Sequence, residues 1–387
     1  MDKYLLIFLT ALLLACSSDN EEQAGGSAVA DVIDYTVTID DTSTRGIIAN
    51  TTKFLTDGRQ FRVWAYMDDG NGGACNTPMI SDYNRNALTA VDVTYNAVRQ
   101  QWRTQDSYWW PRPEYAVDFY AIYPTEYEYN SNQILTFNTT NKTLDYTAPT
   151  NPDDAVDVMY ATYHGQRDGT EKPNQRKGVP LQFHHALCQV SFCGKLSDLL
   201  VSLGWTVDIN SITLCNVNSK GSLVLTTGAY SIHTRQFTSL EIPADYIFTM
   251  NADRQPLTTA SNNIPLTSPT VVTMLLPQTL TAWDNTNANQ KMGTTAPSTS
   301  NCYLRVAMTI KDSNGNYIIG NATTDAIVYS PFDCGVTGGW KSGDQYRYNL
   351  TFTGGYDAAG NPVIQDIGIT AAIMPWTTTT VDGVATH

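Results

Sequence analysis

The sequence has little charge, few histidines and none of the short motifs that mark common enzyme sites. Only 16% of the 387 residues are Asp, Glu, Lys or Arg, and only five are histidine. The chain contains no nucleophile-elbow, zinc-protease or phosphate-loop motif. These absences argue against enzymatic activity, and we predict no catalytic residue and no cofactor.

Cysteines are present, but not in an arrangement that predicts a metal site. Beyond Cys16 they are Cys75, Cys188, Cys193, Cys215, Cys302 and Cys334. No C-x-x-C pair occurs and no histidine stands nearby at metal-ligand spacing, so we predict no bound metal. If the chain is exported, disulfides are permitted, but the sequence does not choose among the pairings. Isolated buried thiols are the alternative.

Positive charge is scarce as well. The 23 Lys and Arg residues are outnumbered by 37 Asp and Glu residues, which gives a formal net charge of −14. Such a chain is repelled by phosphate backbones, so nucleic acid is excluded as a partner. Long stretches of Ala, Glu, Lys and Leu are also missing, while Thr, Tyr, Asn and Gly are frequent, and this composition favours strands over helices.

The one long apolar run, residues 5–14, is interrupted only by Thr10. It is about half of the ~20 residues that a membrane-spanning helix needs. With Lys3 before it and a small residue after it, the run predicts a secretory signal at residues 1–15. The segment Leu13-Leu14-Ala15-Cys16 resembles a bacterial lipobox, which implies that Cys16 is lipidated. The alternative is a cleaved secretory peptide with a chance cysteine.

Residues 17–27 (SSDNEEQAGGS) are acidic and almost free of apolar side chains. Such a segment cannot bury enough surface to fold, so it predicts a flexible tether. An acidic stretch after a lipidated cysteine resembles the surface-export signal of Bacteroidetes lipoproteins; an ordinary linker is the alternative. The interpretation is a lipoprotein of the outer membrane at the cell surface.

Apolar residues recur with a period of two along most of the chain. Ile33, Tyr35, Val37 and Ile39 alternate with polar residues and predict a strand with one buried face. Further strands are predicted at residues 61–67, 117–123, 188–192, 303–310 and 346–352, turns at residues 218–221 and 313–316, and one short helix at residues 196–203. Many short strands with turn signals between them indicate an all-β protein built from sandwiches.

A domain boundary is predicted near the middle of the chain. Residues 164–180 are polar, contain Gly and Pro, and have the composition of a linker or a long exposed loop. We therefore expect an N-terminal domain at residues 46–178 and a C-terminal domain at residues 179–387.

Short segments in a fixed order resemble those of the fimbrillin family, the subunits of type V pili in Bacteroidales. They are Thr44-Arg45 and residues 61–66 (FRVWAY), 110–111 (WP), 117–124 (VDFYAIYP), 157–161 (DVMYA), 181–187 (LQFHHAL), 275–278 (LLPQ), 346–350 (YRYNL) and 373–376 (IMPW). The resemblance covers nearly the whole chain. It implies two tandem transthyretin-like, Greek-key β-sandwich domains after a lipoprotein signal and tether.

The resemblance also implies a maturation step. A trypsin-like, arginine-specific protease would cut after Arg45 and leave Gly46 as the new N-terminus. The released propeptide, residues 16–45, would include the strand of Ile33, Tyr35, Val37 and Ile39. Its loss would open an apolar groove for a strand of another subunit, and repetition would give a head-to-tail polymer. An ordinary loop arginine is the alternative, and Arg167 and Arg176 are competing cleavage sites.

The resemblance places the donor strand within residues 363–387. Ile367, Ile369, Ala371 and Ile373 alternate as a donor strand requires, whereas the tail after Trp376 is short and weakly apolar. If residues 363–374 stay in their own sheet, the tail alone fills a groove poorly. That outcome favours a tip or accessory subunit, which accepts a strand without donating one.

The sequence therefore predicts a stalk or tip subunit of a pilus, whose partners are other pilins, the protease and the outer membrane. A host protein or glycan is a further candidate ligand. The first alternative is a surface lipoprotein adhesin that binds glycan or host protein and never polymerises. The second is a lipid-anchored hydrolase of unrecognised type.

Overall fold

The computed structural model describes residues 32–39, 54, 60–80, 86–125, 127–129, 133–149, 151, 154–167, 178–227, 236–284 and 297–374. In the first half of the chain the strands are β1 (Tyr35–Ile39), β2 (Gln60–Met67), β3 (Thr77–Pro78), β4 (Val91–Asn96), β5 (Gln101–Thr104), β6 (Ala116–Tyr123), β7 (Tyr127–Tyr129), β8 (Gln133–Asn138), β9 (Thr143–Thr147), β10 (Met159–Gln166) and β11 (Val179–His185). The described part of the chain is thus dominated by strands, as predicted.

The second half contains β12 (Cys188–Leu196), the helix α1 (Asp198–Ser202), β13 (Thr206–Val224), β14 (Thr238–Ile247), β15 (Ile264–Pro265), β16 (Thr273–Leu275), β17 (Tyr303–Lys311), β18 (Tyr317–Ile319), β19 (Ala326–Pro331), β20 (Gln345–Tyr356) and β21 (Pro362–Met374). Helix α1 begins where Ser197 caps the backbone N–H of Leu200. The predicted short helix is confirmed, within narrower limits.

The first sheet closes on itself. Its strands follow the order β2-β4-β5-β1-β11-β10-β6, and β6 pairs again with β2, so that seven strands form a ring. Strand β3 pairs with the end of β2, beyond β4 on the edge opposite β6. This closure, which results from the pairing of β6 with β2, was not predicted from the sequence. The tandem sandwiches stay a prediction.

The other two sheets contribute to one common core. The second sheet has the order β15-β12-β20-β21 with β16 beside β12, and the third has the order β18-β17-β13-β9-β8-β7 with β14 and β19 attached. Strands β10 and β11, on either side of the predicted boundary at residue 178, pair with each other in the ring. Strand β9, by contrast, pairs with β13 of the third sheet. The domain limits stay a prediction.

Strand β6 joins the two large cores. Val117 and Phe119 face the interior of the ring, whereas Tyr120 and Ile122 belong to the core that the second and third sheets share. All eight residues of β6 are buried. A strand that is buried on both faces has no room for charged side chains that lack a partner, which explains its nearly continuous apolar sequence.

The predicted turn at residues 218–221 is wrong, because these residues lie inside the 19-residue strand β13. Their polar groups are satisfied from elsewhere in the chain. Gln278 accepts a hydrogen bond from the Asn218 side chain and donates one to the Asn218 carbonyl, and Ser219 donates to the Ile242 carbonyl. Two bulges against β14, one before this stretch and one at Gly221, let the strand continue.

Two hairpin turns share one hydrogen-bond pattern. In residues 312–316 and 357–361 the first Asp side chain accepts from backbone N–H groups two and four residues later, and from the side chain of the closing Asn. Gly315 and Gly360 adopt φ angles of +82° and +81°, a conformation that favours glycine. The predicted turn at residues 313–316 is confirmed as a hairpin between β17 and β18.

These hydrogen bonds, chiefly those from the backbone N–H groups of Asn316 and Asn361, lower the pKa of Asp312 and Asp357. Both turns are therefore stabilised at pH values above the ordinary Asp pKa of about 3.9, and they lose this stabilisation as the pH falls through the lowered pKa.

We expect carboxyl NMR titration to give both Asp312 and Asp357 a pKa below that of an unfolded Asp. Asn316→Ala removes the side-chain hydrogen bond to Asp312 and keeps the backbone one, so the pKa of Asp312 should rise part of the way while that of Asp357 stays unchanged. An unchanged Asp312 would contradict the side-chain contribution.

Candidate functional site: the first and last strands

The first strand completes the ring between two neighbours. Strand β1 pairs in parallel with β11 along its whole length, from Tyr35 opposite Val179 to Ile39 opposite Phe183. On its other edge it meets β5 where Tyr35 lies opposite Trp102. The backbone N–H of Ile33 also donates to the Tyr108 carbonyl at 2.7 Å. Without β1 the edges of β5 and β11 would therefore lose their partners.

One face of this strand lies in the core of the ring. Ile33, Tyr35, Val37 and Ile39 are between 1% and 7% exposed, whereas Thr36 and Thr38 between them are exposed. The predicted alternation is confirmed. Burial of each large aliphatic side chain stabilises a fold by about 1.5–3 kcal/mol, so the strand contributes several kcal/mol to the ring.

The aromatic residue of β1 is well packed but poorly hydrogen-bonded. The Tyr35 ring meets Phe61 and Phe119 edge to face, with centroids 6.1 and 6.4 Å away. Its hydroxyl is buried and has no hydrogen-bond partner among the described residues. Burial raises the pKa of this hydroxyl far above its usual value. An unsatisfied buried hydroxyl costs about 1–3 kcal/mol, so β1 is held less firmly than its apolar contacts would allow.

The start of β1 is fixed by charge and by a close backbone approach. Arg103 Nε lies 2.7 Å from Asp34 Oδ1, and both side chains are about one-fifth exposed, at 19% and 21%. Gly178 has a φ of +78°, and a Cβ there would lie 2.6 Å from the Asp34 carbonyl oxygen. Only glycine fits where β11 begins beside β1. Sequence reasoning missed Gly178, because its neighbour in space lies far away in the chain.

The predicted lipidation and cleavage residues lie outside the described residues. These are Cys16, Arg45 and Gly46. In the sequence, however, Arg45 stands between the end of β1 at Ile39 and Phe54, and both of these are buried in the ring core. The Phe54 ring lies 5.1 Å from Trp102 and 5.8 Å from Phe183. The peptide bond that we predict to be cut thus lies between two residues that are buried in the ring core.

The last strand occupies an edge. Strand β21 pairs antiparallel with β20 from Pro362 to Met374, and among the described strands it has no partner on its other side. Ile367 is buried, Ile369 and Ala371 are partly buried against the larger core, and Ile373 is 56% exposed. Residues 363–374 therefore remain in their own sheet, and the tail after them lies outside the described residues.

The structure does not bring β1 and β21 together, since they belong to different sheets.

The structure brings together three other residues, which sequence reasoning missed. Cys75, Asp118 and His164 present their polar atoms within 4.8 Å of one another, beside a pocket of about 350 Å³. Because 43 and 46 residues separate them (118 − 75 and 164 − 118), no spacing rule could reveal the cluster.

The described cysteines are all reduced and buried; they are Cys75, Cys188, Cys193, Cys215, Cys302 and Cys334. Burial raises the pKa of each thiol, for example to about 12 for Cys215. Of the two alternatives for the cysteines, disulfides or isolated buried thiols, the structure therefore shows the second.

Among the described residues, no helix combines the length and the apolar character that crossing a membrane requires.

Comparisons with known proteins give one family. A sequence model of the fimbrillin-like family matches residues 42–376. No curated protein matches the chain. The fold is similar to that of a fimbrial protein from Bacteroides vulgatus ATCC 8482, with 16% identity, a TM-score of 0.56, and 90% of this chain and 100% of that chain covered. At this identity the similarity shows a shared fold alone.

Other solved structures are less similar. A proposed cell adhesion protein from Bacteroides uniformis ATCC 8492 has 13% identity and a TM-score of 0.38, with 91% of this chain and 100% of that chain covered. Another from Parabacteroides distasonis ATCC 8503 has 10% identity and a TM-score of 0.40, with 89% and 99% covered.

The unsatisfied hydroxyl of β1 gives a test of how firmly the strand is held. We expect Tyr35→Phe to raise the free energy of unfolding by about 1 kcal/mol, because it removes a buried hydroxyl without a partner. Tyr348→Phe is the matched control, since the Tyr348 hydroxyl donates to the Cys334 carbonyl and accepts from Trp340 Nε1. This control should lower the stability by a similar amount. Chemical denaturation measures both, and a destabilised Tyr35→Phe would contradict our account of β1.

Proposed function

The chain belongs to the fimbrillin-like family, and from this premise we propose that it is a structural or adhesive subunit of a type V pilus. In this proposal a signal peptide directs export, lipidation at Cys16 tethers the chain to the outer membrane, and cleavage after Arg45 activates it at the cell surface. We assign it no catalytic residue, because its role is to bind other subunits.

The observation that carries the proposal is the position of β1. It is the first described strand, it completes the ring, and three of its side chains are buried together with that of Ile33 just before it. A cut after Arg45 would separate β1 from the rest of the chain, since no other peptide connection joins it to β2. The groove left behind would be lined on its edges by β5 and β11 and floored by aromatic residues such as Phe61 and Phe119.

A strand from another subunit has the chemistry to fill this groove. The backbone groups of β11 that now bind β1 would bind the incoming strand, and alternate apolar side chains would set its register. Ile367, Ile369, Ala371 and Ile373 have the same two-residue spacing as Ile33 and the three buried residues of β1. An Ile in place of Tyr35 would also remove the unsatisfied hydroxyl.

Donating β21 would cost free energy that accepting a strand does not. To be donated, β21 must leave β20, with which it pairs along its whole length, and must uncover Ile364 and Ile367. The pairing of β21 within its own sheet favours a tip or accessory subunit that accepts a strand. A stalk subunit would need β21 to be released during assembly.

Cleavage after Arg45 is the first testable step. We expect limited digestion of the full chain with trypsin to give a product that begins at Gly46, as read by N-terminal sequencing. Arg45→Ala should not yield this product, whereas the matched control Arg167→Ala should be cut as the wild type is. A first cut at Arg167 or Arg176 with the Arg45 bond intact would contradict the proposal.

The groove itself can be assayed on the cut protein. A synthetic peptide of residues 31–40 should rebind after the original strand is removed in denaturant, as measured by fluorescence anisotropy. A control peptide with Tyr35→Ser and Val37→Ser should bind at least tenfold more weakly, because burial of its face stabilises the complex less. Cut protein that neither binds the peptide nor forms oligomers would support the adhesin that never polymerises.

A disulfide between β20 and β21 separates the stalk role from the tip role. Asn349 and Thr370 lie opposite each other, so Asn349→Cys/Thr370→Cys should tie the two strands together on oxidation. If β21 is the donor, oxidised cut protein should remain monomeric while the reduced form assembles into oligomers visible by electron microscopy. If the subunit only accepts, it should bind the 31–40 peptide equally in both states and not assemble alone. Oligomers from the oxidised form would exclude β21 as the donor.

A further inference from the structure

Three side chains with different metal-binding atoms meet on the outer face of the ring. Cys75 lies in the loop between β2 and β3, Asp118 on β6 and His164 on β10. Strands β6 and β10 are antiparallel, and their register places His164 directly opposite Asp118. His164 Nδ1 lies 2.6 Å from Asp118 Oδ1, and the Cys75 sulfur completes a cluster whose atoms are within 4.8 Å of one another.

We propose that Cys75, Asp118 and His164 bind one zinc ion. Thiolate, imidazole and carboxylate are all established zinc ligands, and a thiolate disfavours Ca²⁺ and Mg²⁺, which select oxygen. Bond lengths of about 2.0–2.3 Å place the ligand atoms of a tetrahedral zinc about 3.3–3.7 Å apart. Small rotations of these side chains reach that geometry, because the atoms already lie within 4.8 Å.

The charges around the cluster favour a cation. A Cys75 thiolate and an Asp118 carboxylate together neutralise a divalent ion. Nearby, Asp68 is only 3% exposed; its Oδ1 accepts from the backbone N–H groups of Gly70 and Ala116, both at 3.0 Å. Its other oxygen is buried without a hydrogen-bond partner among the described residues. A buried carboxylate oxygen without a partner is costly, and a neighbouring cation would offset that cost.

One positive side chain also lines the pocket. The Lys142 ammonium lies 3.4 Å above the centre of the Tyr66 ring and donates to the Thr139 carbonyl. These contacts hold the ammonium on an aromatic face of the pocket, where it has partners other than the Asp118 carboxylate. Lys142 thus occupies the wall of the pocket and leaves the three ligand atoms accessible to a metal ion.

The pocket gives the ion access and a fourth ligand. The His164 side chain is 50% exposed, while that of Asp118 is 12% exposed, so the cluster opens towards solvent on the His164 side. On binding, the Cys75 thiol releases its proton to solvent, and zinc replaces the hydrogen bond between Nδ1 and Oδ1. Water takes the fourth position. The ion then ties the loop before β3 to two strands of the ring.

Cobalt substitution tests the site on the full chain. We expect the metal-free protein to take up one equivalent of Co²⁺, with the visible bands of tetrahedral cobalt and a thiolate-to-cobalt charge-transfer band. Zn²⁺ should displace the cobalt, because its affinity for such sites is higher. Saturating Zn²⁺ should also raise the melting temperature, since it binds the folded form.

Variants decide whether these three residues bind the metal. Cys75→Ser should abolish the charge-transfer band, and His164→Gln and Asp118→Asn should each weaken Zn²⁺ binding at least tenfold. Cys193→Ser and His184→Gln, which remove a thiol and an imidazole elsewhere, should leave both readouts unchanged. Circular dichroism of each variant establishes that it is folded. Absence of stoichiometric uptake, or uptake that the Cys75→Ser and His164→Gln variants leave unchanged, would overturn the proposal.

Discussion

The parallel pairing between β1 and β11 is the constraint on which the ring depends. Seven strands surround the N-terminal core, and β1 is the one that separates β5 from β11. Its contacts with β11 extend over the whole strand, whereas those with β5 are confined to its beginning. Backbone pairing thus holds β1 through five residue pairs on the β11 side and through one on the β5 side.

The same strand combines favourable and unfavourable burial. The apolar face of Ile33, Val37 and Ile39 and the packed Tyr35 ring stabilise the closed ring, while the Tyr35 hydroxyl has no partner among the described residues. At the entry of the strand, Asp34 is held by Arg103 and by the close approach of Gly178. The closed state therefore relies on the contacts at the entry of β1 and on its aliphatic residues more than on the hydroxyl of Tyr35, the residue with which the strand begins.

Local patterns in the sequence predict the strands well and their pairing poorly. The alternation around Tyr35, the apolar run of β6 and the Asn-Gly turn after Asp312 all depend on neighbours in the sequence, and each was predicted correctly. The turn at residues 218–221 was wrong because Gln278, which satisfies Asn218, lies 60 residues away. Ring closure likewise joins Tyr35 to Val179. A stretch of polar residues and glycine that is typical of a turn can form part of a strand when residues distant in the sequence supply its hydrogen bonds.

Because β1 is the first described strand, the contribution of its contacts to stability depends on the peptide connection that follows it. While the peptide connection to Phe54 is intact, β1 is an intramolecular ligand, whose effective concentration is set by that connection and not by the concentration of the protein. Once that connection is severed, the same hydrogen bonds and the same buried side chains belong to a separate peptide that dilution can remove. The stability of the closed ring would then depend on concentration, although no contact in it had changed.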